Sequence, residues 1–159
     1  MAIRFIFNAD SAVYPSGSAA RFTQVISGSN MFRVLAFSDT NTERALFTTT
    51  APSGWSGSIS ASITSFPASA TNNEFVWELS VFSASPGGLI TGSNFATTGS
   101  VSGSVTGASQ WRVSQLNIGD NGILPGYFMQ FLLRRLPTNA SDTASSDMYF
   151  SNLIIADGR

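Results

Sequence analysis

Apolar and polar residues alternate with period two along most of this chain and almost nowhere at the spacing of a helix. From Glu74 to Phe82, Phe75, Trp77, Leu79 and Val81 fall on one side, and Glu74, Val76, Glu78 and Ser80 on the other. That is the signature of a β-strand with one side turned to a core, and it places Trp77 in that core. Between Ser56 and Phe66 the alternation is Ile59, Ala61 and Ile63 against Ser58, Ser60, Ser62 and Thr64. It predicts a half-buried strand whose serine side is wet or packed on polar backbone.

Other strand signals surround these two. Ile3–Phe7 is a short apolar run, predicted to be an edge or exchanged strand, followed by a Ser/Gly/Pro loop over 8–19. Phe22–Ile26 and Met31–Phe37, joined by Ser27-Gly28-Ser29-Asn30, predict a hairpin. Arg44–Thr50 follows and stops at Ala51-Pro52-Ser53-Gly54. Residues 86–100 are expected to form a long loop, with a weak strand between Val101 and Val105. In Trp111–Ile118 the first two apolar positions are out of phase with Leu116 and Ile118, which predicts a bulge. Tyr127–Arg135 is dense enough for a central strand, and Met148–Ile155 follows a polar loop over Pro137–Ser146. Ser-Gly-Ser recurs irregularly at 16–18, 27–29, 56–58 and 102–104, which points to turn chemistry and not to an internal repeat.

The sum is an all-β chain: an antiparallel, jelly-roll-like β-sandwich of eight or nine strands. One sandwich domain is expected over 20–159, preceded by an N-terminal strand or arm over 1–19 that contacts a neighbour.

Composition narrows the chemistry. The 159 residues include no histidine and no cysteine, and all eight basic residues are arginine. Histidine-assisted nucleophiles, Schiff-base lysines, His/Cys zinc sites and the lysine phosphate loop are therefore excluded. Carboxylate pairs survive that exclusion. Glu74 and Glu78 share a strand side, but four residues separate them by roughly 13 Å, beyond the roughly 5–9.5 Å of glycosidase pairs. The expectation is a non-enzyme with no cofactor and no metal. Asp142 and Asp147 bracket a Ser/Thr loop without calcium-loop spacing, and they are expected to cap turns and pair with Arg134 or Arg135. Asn139-Ala140-Ser141 is a formal glycosylation sequon, read as coincidental.

Only 11% of residues are charged and the net charge is −1, against 43% hydrophobic residues. Such a surface repels its own copies weakly. A serine- and threonine-covered β surface accounts for part of this, and a permanent oligomer or assembly subunit for the rest. Nucleic acid is not expected as a partner, because no basic cluster exceeds Arg134-Arg135. No run approaches a membrane-spanning length, and the first residues lack the pattern of a signal peptide. Two sets of contact residues follow. Arg33, Arg44, Arg134 and Arg135 are candidates for carboxylates of a protein partner. Tyr14, Trp55 and Trp111, near turns or strand ends, are candidates for stacking on sugar rings; that idea predicts exposed, coplanar aromatics among them on one surface and falls if all three are buried.

The last 115 residues or so carry a further pattern. FTTTAPSGW (Phe47–Trp55), FVWELSVF, WRVSQLNI and the closing GYFMQFLLRRLPTNASDTASSDMYFSNLIIAD follow one another in an order that resembles structural proteins of tailed bacteriophages. The first 43 residues lie outside it, and Pro125-Gly126-Tyr127 stands where that pattern usually has more Asp and Gly. The resemblance implies a jelly-roll-like sandwich serving as a capsid decoration (cement) protein on the outer shell, often a trimer. Its partners would be its own copies and the major capsid protein or another virion protein, with assembly in the host cytoplasm. Strands such as Tyr127–Leu133 would supply apolar contact area, and Ala2–Ala20 would extend onto a neighbour by strand addition. A tail, collar or fibre component, and a carbohydrate-binding adhesion module, are the alternatives.

Overall fold

The computed structural model describes residues 4–27, 29–69, 73–90, 95, 97–107, 110–120 and 122–157. Ile3, Gly28 and residues 91–94 and 96 of the expected long loop lie outside them.

Ten strands follow one another: β1 (Arg4–Asn8), β2 (Arg21–Ser27), β3 (Asn30–Phe37), β4 (Arg44–Thr50), β5 (Ser58–Pro67), β6 (Glu74–Ala84), β7 (Thr97–Ser104), β8 (Arg112–Asp120), β9 (Phe128–Arg135) and β10 (Met148–Asp157). Six form one sheet, in the order β2-β3-β10-β5-β8 with β1 also on β10, and four form a second, β4-β9-β6-β7. Every ladder is antiparallel. The fold is therefore the all-β, two-sheet sandwich that the alternation predicts.

The core lies between the sheets. Leu35, Phe37, Ile63 and Phe150 descend from the larger sheet, and Phe47, Trp77, Leu79 and Phe131 from the smaller, all fully buried. Aromatic pairs tie the layers: Phe37 meets Trp77 edge-on at 4.9 Å and Phe47 lies 5.6 Å from Phe150. Such pairs add about 0.5–1.5 kcal/mol each beyond the area they bury. As expected, Tyr127–Arg135 is central, with β9 between β4 and β6. Met129, Phe131 and Leu133 are wholly buried there, whereas Tyr127 and Phe128 are half-buried. The expectation that this strand offers apolar area to a partner is corrected for its inward residues.

Three further readings change. Loop was expected up to residue 100, yet β7 begins at Thr97. Its core-facing positions are Gly99, Val101 and Gly103, too small to register as a strand by hydrophobicity. They are small because the neighbours leave no room. A methyl group on Gly103 would sit no more than 3.0 Å from three ring atoms of Phe75, and one on Gly99 would sit 2.9 Å from Leu116. The Ser-Gly-Ser at 102–104 is thus strand and not turn. Gly103→Ala should destabilise the protein by about 1–3 kcal/mol by overpacking, while Ser102→Ala on the other side should stay within about 0.5 kcal/mol. Urea unfolding midpoints of the two variants would check this.

The β8 bulge also moves. The register against β5 shifts between Ile59↔Gly119 and Ser60↔Asn117, so the irregularity lies near Gly119. Trp111 and Val113 are out of phase with Leu116 simply because they face the opposite side of the sheet. Finally, β1 sits inside its own sandwich. It pairs with β10 from Arg4↔Ala156 to Asn8↔Asn152, and Phe7 enters the core 5.9 Å from Phe131. Residues 9–20 then cross to the smaller sheet, where Val13 exchanges backbone hydrogen bonds with Leu46 and Ala20 donates to Arg44. The segment expected to act as an arm is here a stitch between the two sheets.

Candidate functional site

The arginines expected to meet a partner are mostly engaged within the chain. Arg135 is fully buried, because it shares the inward phase of Phe131 and Leu133 and stands in register with Trp77. Its Nε and Nη2 donate to the two carboxylate oxygens of Asp142 at 3.0 and 2.8 Å. It is a core ion pair, and its candidacy as an outward contact is withdrawn. The expected pairing of Asp142 with one of the two adjacent arginines is thereby met. Arg134 points the other way and pairs across the strands with Glu78. Arg33 is exposed and lies 3.4 Å from Asp10. Arg44 is exposed on β4, its backbone held by Ser18 and Ala20.

The stacking candidates separate. Trp55 is 4% exposed and closes an end of the core against Phe5 at 5.8 Å. Tyr14 is 46% exposed, next to Val13 where the crossing segment bridges to β4. Partial burial, and then the carboxylate of Asp10, push its hydroxyl pKa above the usual tyrosine value. Trp111 is 41% exposed and sits just ahead of β8, against Phe66 of the larger sheet, so the three do not form one coplanar surface.

Trp111 has other company. On the outer face of the larger sheet the ladders align residues in rows across β1, β10, β5 and β8. One row is Arg4, Ala156, Ser60 and Asn117; the next is Ile6, Ile154, Ser62 and Gln115. The serines of β5 and Ala156, beside the bulkier Ile154, lie between longer side chains at both sides and make a groove of about 530 Å3 that Arg4, Gln115 and Asn117 also line. Further along the strands the face turns aromatic. Trp111 packs on Phe66 at 4.4 Å, Phe66 on Tyr149 at 5.3 Å, and Phe32 meets the edge of Trp111 at 5.7 Å. Phe66 is buried beneath and supports the exposed indole.

This face combines two chemistries. Carboxamides and hydroxyls both donate and accept, which suits ligand groups that do the same. The Asn117 carboxamide is oriented, its Oδ1 accepting from the Gly119 amide at 3.0 Å, which leaves its NH2 to donate outward. The indole supplies a flat apolar platform whose position is fixed by its neighbours. Trp111, Val113, Gln115 and Asn117 share one strand side, so the platform and the Gln115 carboxamide lie roughly 13 Å apart. Among the described residues no three His, Cys, Asp or Glu side chains gather as a metal site. The serine face and Trp111 were legible from sequence; Arg4, Gln115 and Asn117 were missed. The only signal for the last two was continuation of the Trp111–Val113 phase along β8.

The two-sheet antiparallel sandwich is similar in fold to solved carbohydrate-binding modules with a jelly-roll-like architecture. The CBM35 from Cellvibrio japonicus Abf62 superposes with a TM-score of 0.58 at 14% identity, over 99% of this chain and 95% of that one. A family 35 carbohydrate binding module from Clostridium thermocellum gives 0.57 at 16% identity, over 96% of this chain and 97% of that one. A beta-1,3-glucan binding CBM6 from Bacillus halodurans gives 0.53 at 16% identity, over 94% and 92%. No protein-family profile and no curated protein matches the chain. At these identities the likeness is one of fold, and it touches the bacteriophage resemblance only through the shared sandwich.

Proposed function

We propose that this chain is a non-catalytic carbohydrate-binding module that lays an extended glycan along the outer face of its six-stranded sheet. The observation that carries the reading is the outer face itself: an exposed indole backed by Phe66, in line with a groove of serines and carboxamides. The fold likeness to carbohydrate-binding modules supports it. Sugar rings have an apolar face and a hydroxylated rim, so one ring would stack on Trp111 while others hydrogen-bond Gln115, Asn117, Ser60 and Ser62. A single ring does not span the roughly 13 Å between platform and carboxamide, so the ligand is a chain of several sugars.

The test is a screen of polysaccharides by affinity electrophoresis, followed by titration calorimetry on a retained ligand. Trp111→Ala should weaken binding at least tenfold, equivalent to about 1.4 kcal/mol, with the unfolding midpoint nearly unchanged. Gln115→Ala should weaken it less, and Tyr14→Ala not at all. Retention unaffected by Trp111→Ala would place the ligand elsewhere, and no retention on any polysaccharide would sink the reading.

A virion structural subunit, on the capsid or on a tail or fibre, is the second reading. It is favoured by one feature of this molecule, the apolar surface left open on the β2–β3 hairpin, where Ile26 is 71% and Met31 61% exposed. That surface supports self-association, and imaging of the particle bound by the purified chain would test the rest.

A further inference from the structure

We infer that two copies of this chain join along β2, antiparallel about Gln24, into one continuous sheet across a two-fold axis. β2 closes one side of the larger sheet, with β3 as its strand partner. Among the described residues no backbone group of β2 bonds to anything outside that ladder. An edge in this state is a template for another strand, and proteins usually blunt it with proline, lysine, a bulge or a very short strand. β2 has none of these. It reads RFTQVIS over seven residues, with Arg21 its one charge, and its register with β3 is unbroken from Arg21↔Ala36 to Ser27↔Asn30.

The hairpin is also bare on the side that continues the core face. Phe22, Gln24 and Ile26 stand in register with Leu35, Arg33 and Met31. Leu35 is buried, but Phe22 is 42% exposed and, beyond it, Ile26 and Met31 are more open still. The four-stranded sheet does not cover them.

A second copy does. Turned about Gln24, β2 sets Phe22 opposite Ile26 of the other copy, Thr23 opposite Val25, and Arg21 opposite Ser27, each pairing occurring twice. Aromatic meets β-branched on the bare side, a favourable cross-strand pair, and no like charges face each other. The net charge of −1 adds little repulsion. The contact is isologous and closes at two copies. Its axis stands perpendicular to the sheet, so both outer faces open on the same side.

Sedimentation equilibrium of the full chain tests this. The unaltered protein should be a dimer at micromolar concentration. Gln24 faces its own mate on the axis, so Gln24→Lys and Gln24→Glu should each raise the dissociation constant at least tenfold, and an equimolar mixture of the two should recover the dimer. The chain has no cysteine, so Gln24→Cys adds a direct readout. Paired strand residues lie about 4.5–5.5 Å apart at Cα, within disulfide reach, and mild oxidation should yield a covalent dimer. Thr48→Cys, exposed on β4, should not. An unaltered chain that stays monomeric at the highest concentration would overturn the proposal. So would single-charge variants that remain dimeric, a mixture that stays monomeric, or a Gln24→Cys protein that does not cross-link.

Discussion

Arg135→Met should cost this protein about 3–5 kcal/mol of stability, the usual loss when one partner of a buried ion pair is removed. A domain has only about 5–15 kcal/mol in hand, so the variant should be largely unfolded under mild conditions. The reason is the completeness of the arrangement. A guanidinium carries five N–H donors. Nε and Nη2 bond both oxygens of Asp142, Nη1 bonds the carbonyls of Ser146 at 2.7 Å and Ser38 at 3.3 Å, and Nη2 also bonds that of Ala144 at 2.6 Å. Asp142 in turn accepts from the Val76 amide at 3.0 Å. One side chain thus pins the 137–146 loop to β6 and to the end of β3. Without it a carboxylate that is 1% exposed is left uncompensated. Lysine should recover little, because its point charge cannot reproduce the planar fork. The check is the shift in urea midpoint at constant slope; a loss under about 1 kcal/mol would mean that the loop stands without the pair.

A comparable loss, about 3–5 kcal/mol, is expected for Trp77→Ala, which would open the largest hole a single truncation can make in this core. Trp77 is fully buried between Phe37 and Phe75. Its indole N–H donates to the Ser65 hydroxyl at 3.2 Å, and Ser65 is itself fully buried. Trp77→Phe separates the two contributions: it keeps most of the volume but strands the serine, at about 1–3 kcal/mol. Adding Ser65→Ala to Trp77→Phe should then regain part of that loss. If the double variant is no more stable than Trp77→Phe, the hydrogen bond contributes nothing and packing accounts for the whole effect.

How far the sequence foretells this molecule depends on whether a feature is local. The alternation Phe75, Trp77, Leu79, Val81 requires only the pleat, and it holds. β7 escapes because its inward positions are glycines, whose purpose becomes visible only when Phe75 and Leu116 are seen pressing on them. Arg135 reads like a surface arginine, since nothing within a few residues reveals five acceptors converging from β3 and the 137–146 loop. Trp55 looks like an exposed aromatic in a turn, but the strand that covers it begins some fifty residues earlier. The groove is the extreme case. Arg4, Ser60 and Asn117 share a row only because three ladder registers align them across β10 and β5, and register is a property of the assembled sheet. The serine side of β5 announced that this face is wet; what flanks it was settled elsewhere in the chain.

The position of β10 has a bearing on how the molecule comes into being. It is the tenth strand in chain order, yet it stands in the middle of the larger sheet, with β5 on one side and β3 and then β1 on the other. During synthesis β1 emerges with no partner strand and β3 with β2 alone, and both wait for the strand that unites them. Nearly all the contacts are between distant parts of the chain, a topology that folds slowly. The larger sheet should therefore close only once β10 has been made and can join β1, the β2–β3 hairpin and the β5–β8 pair.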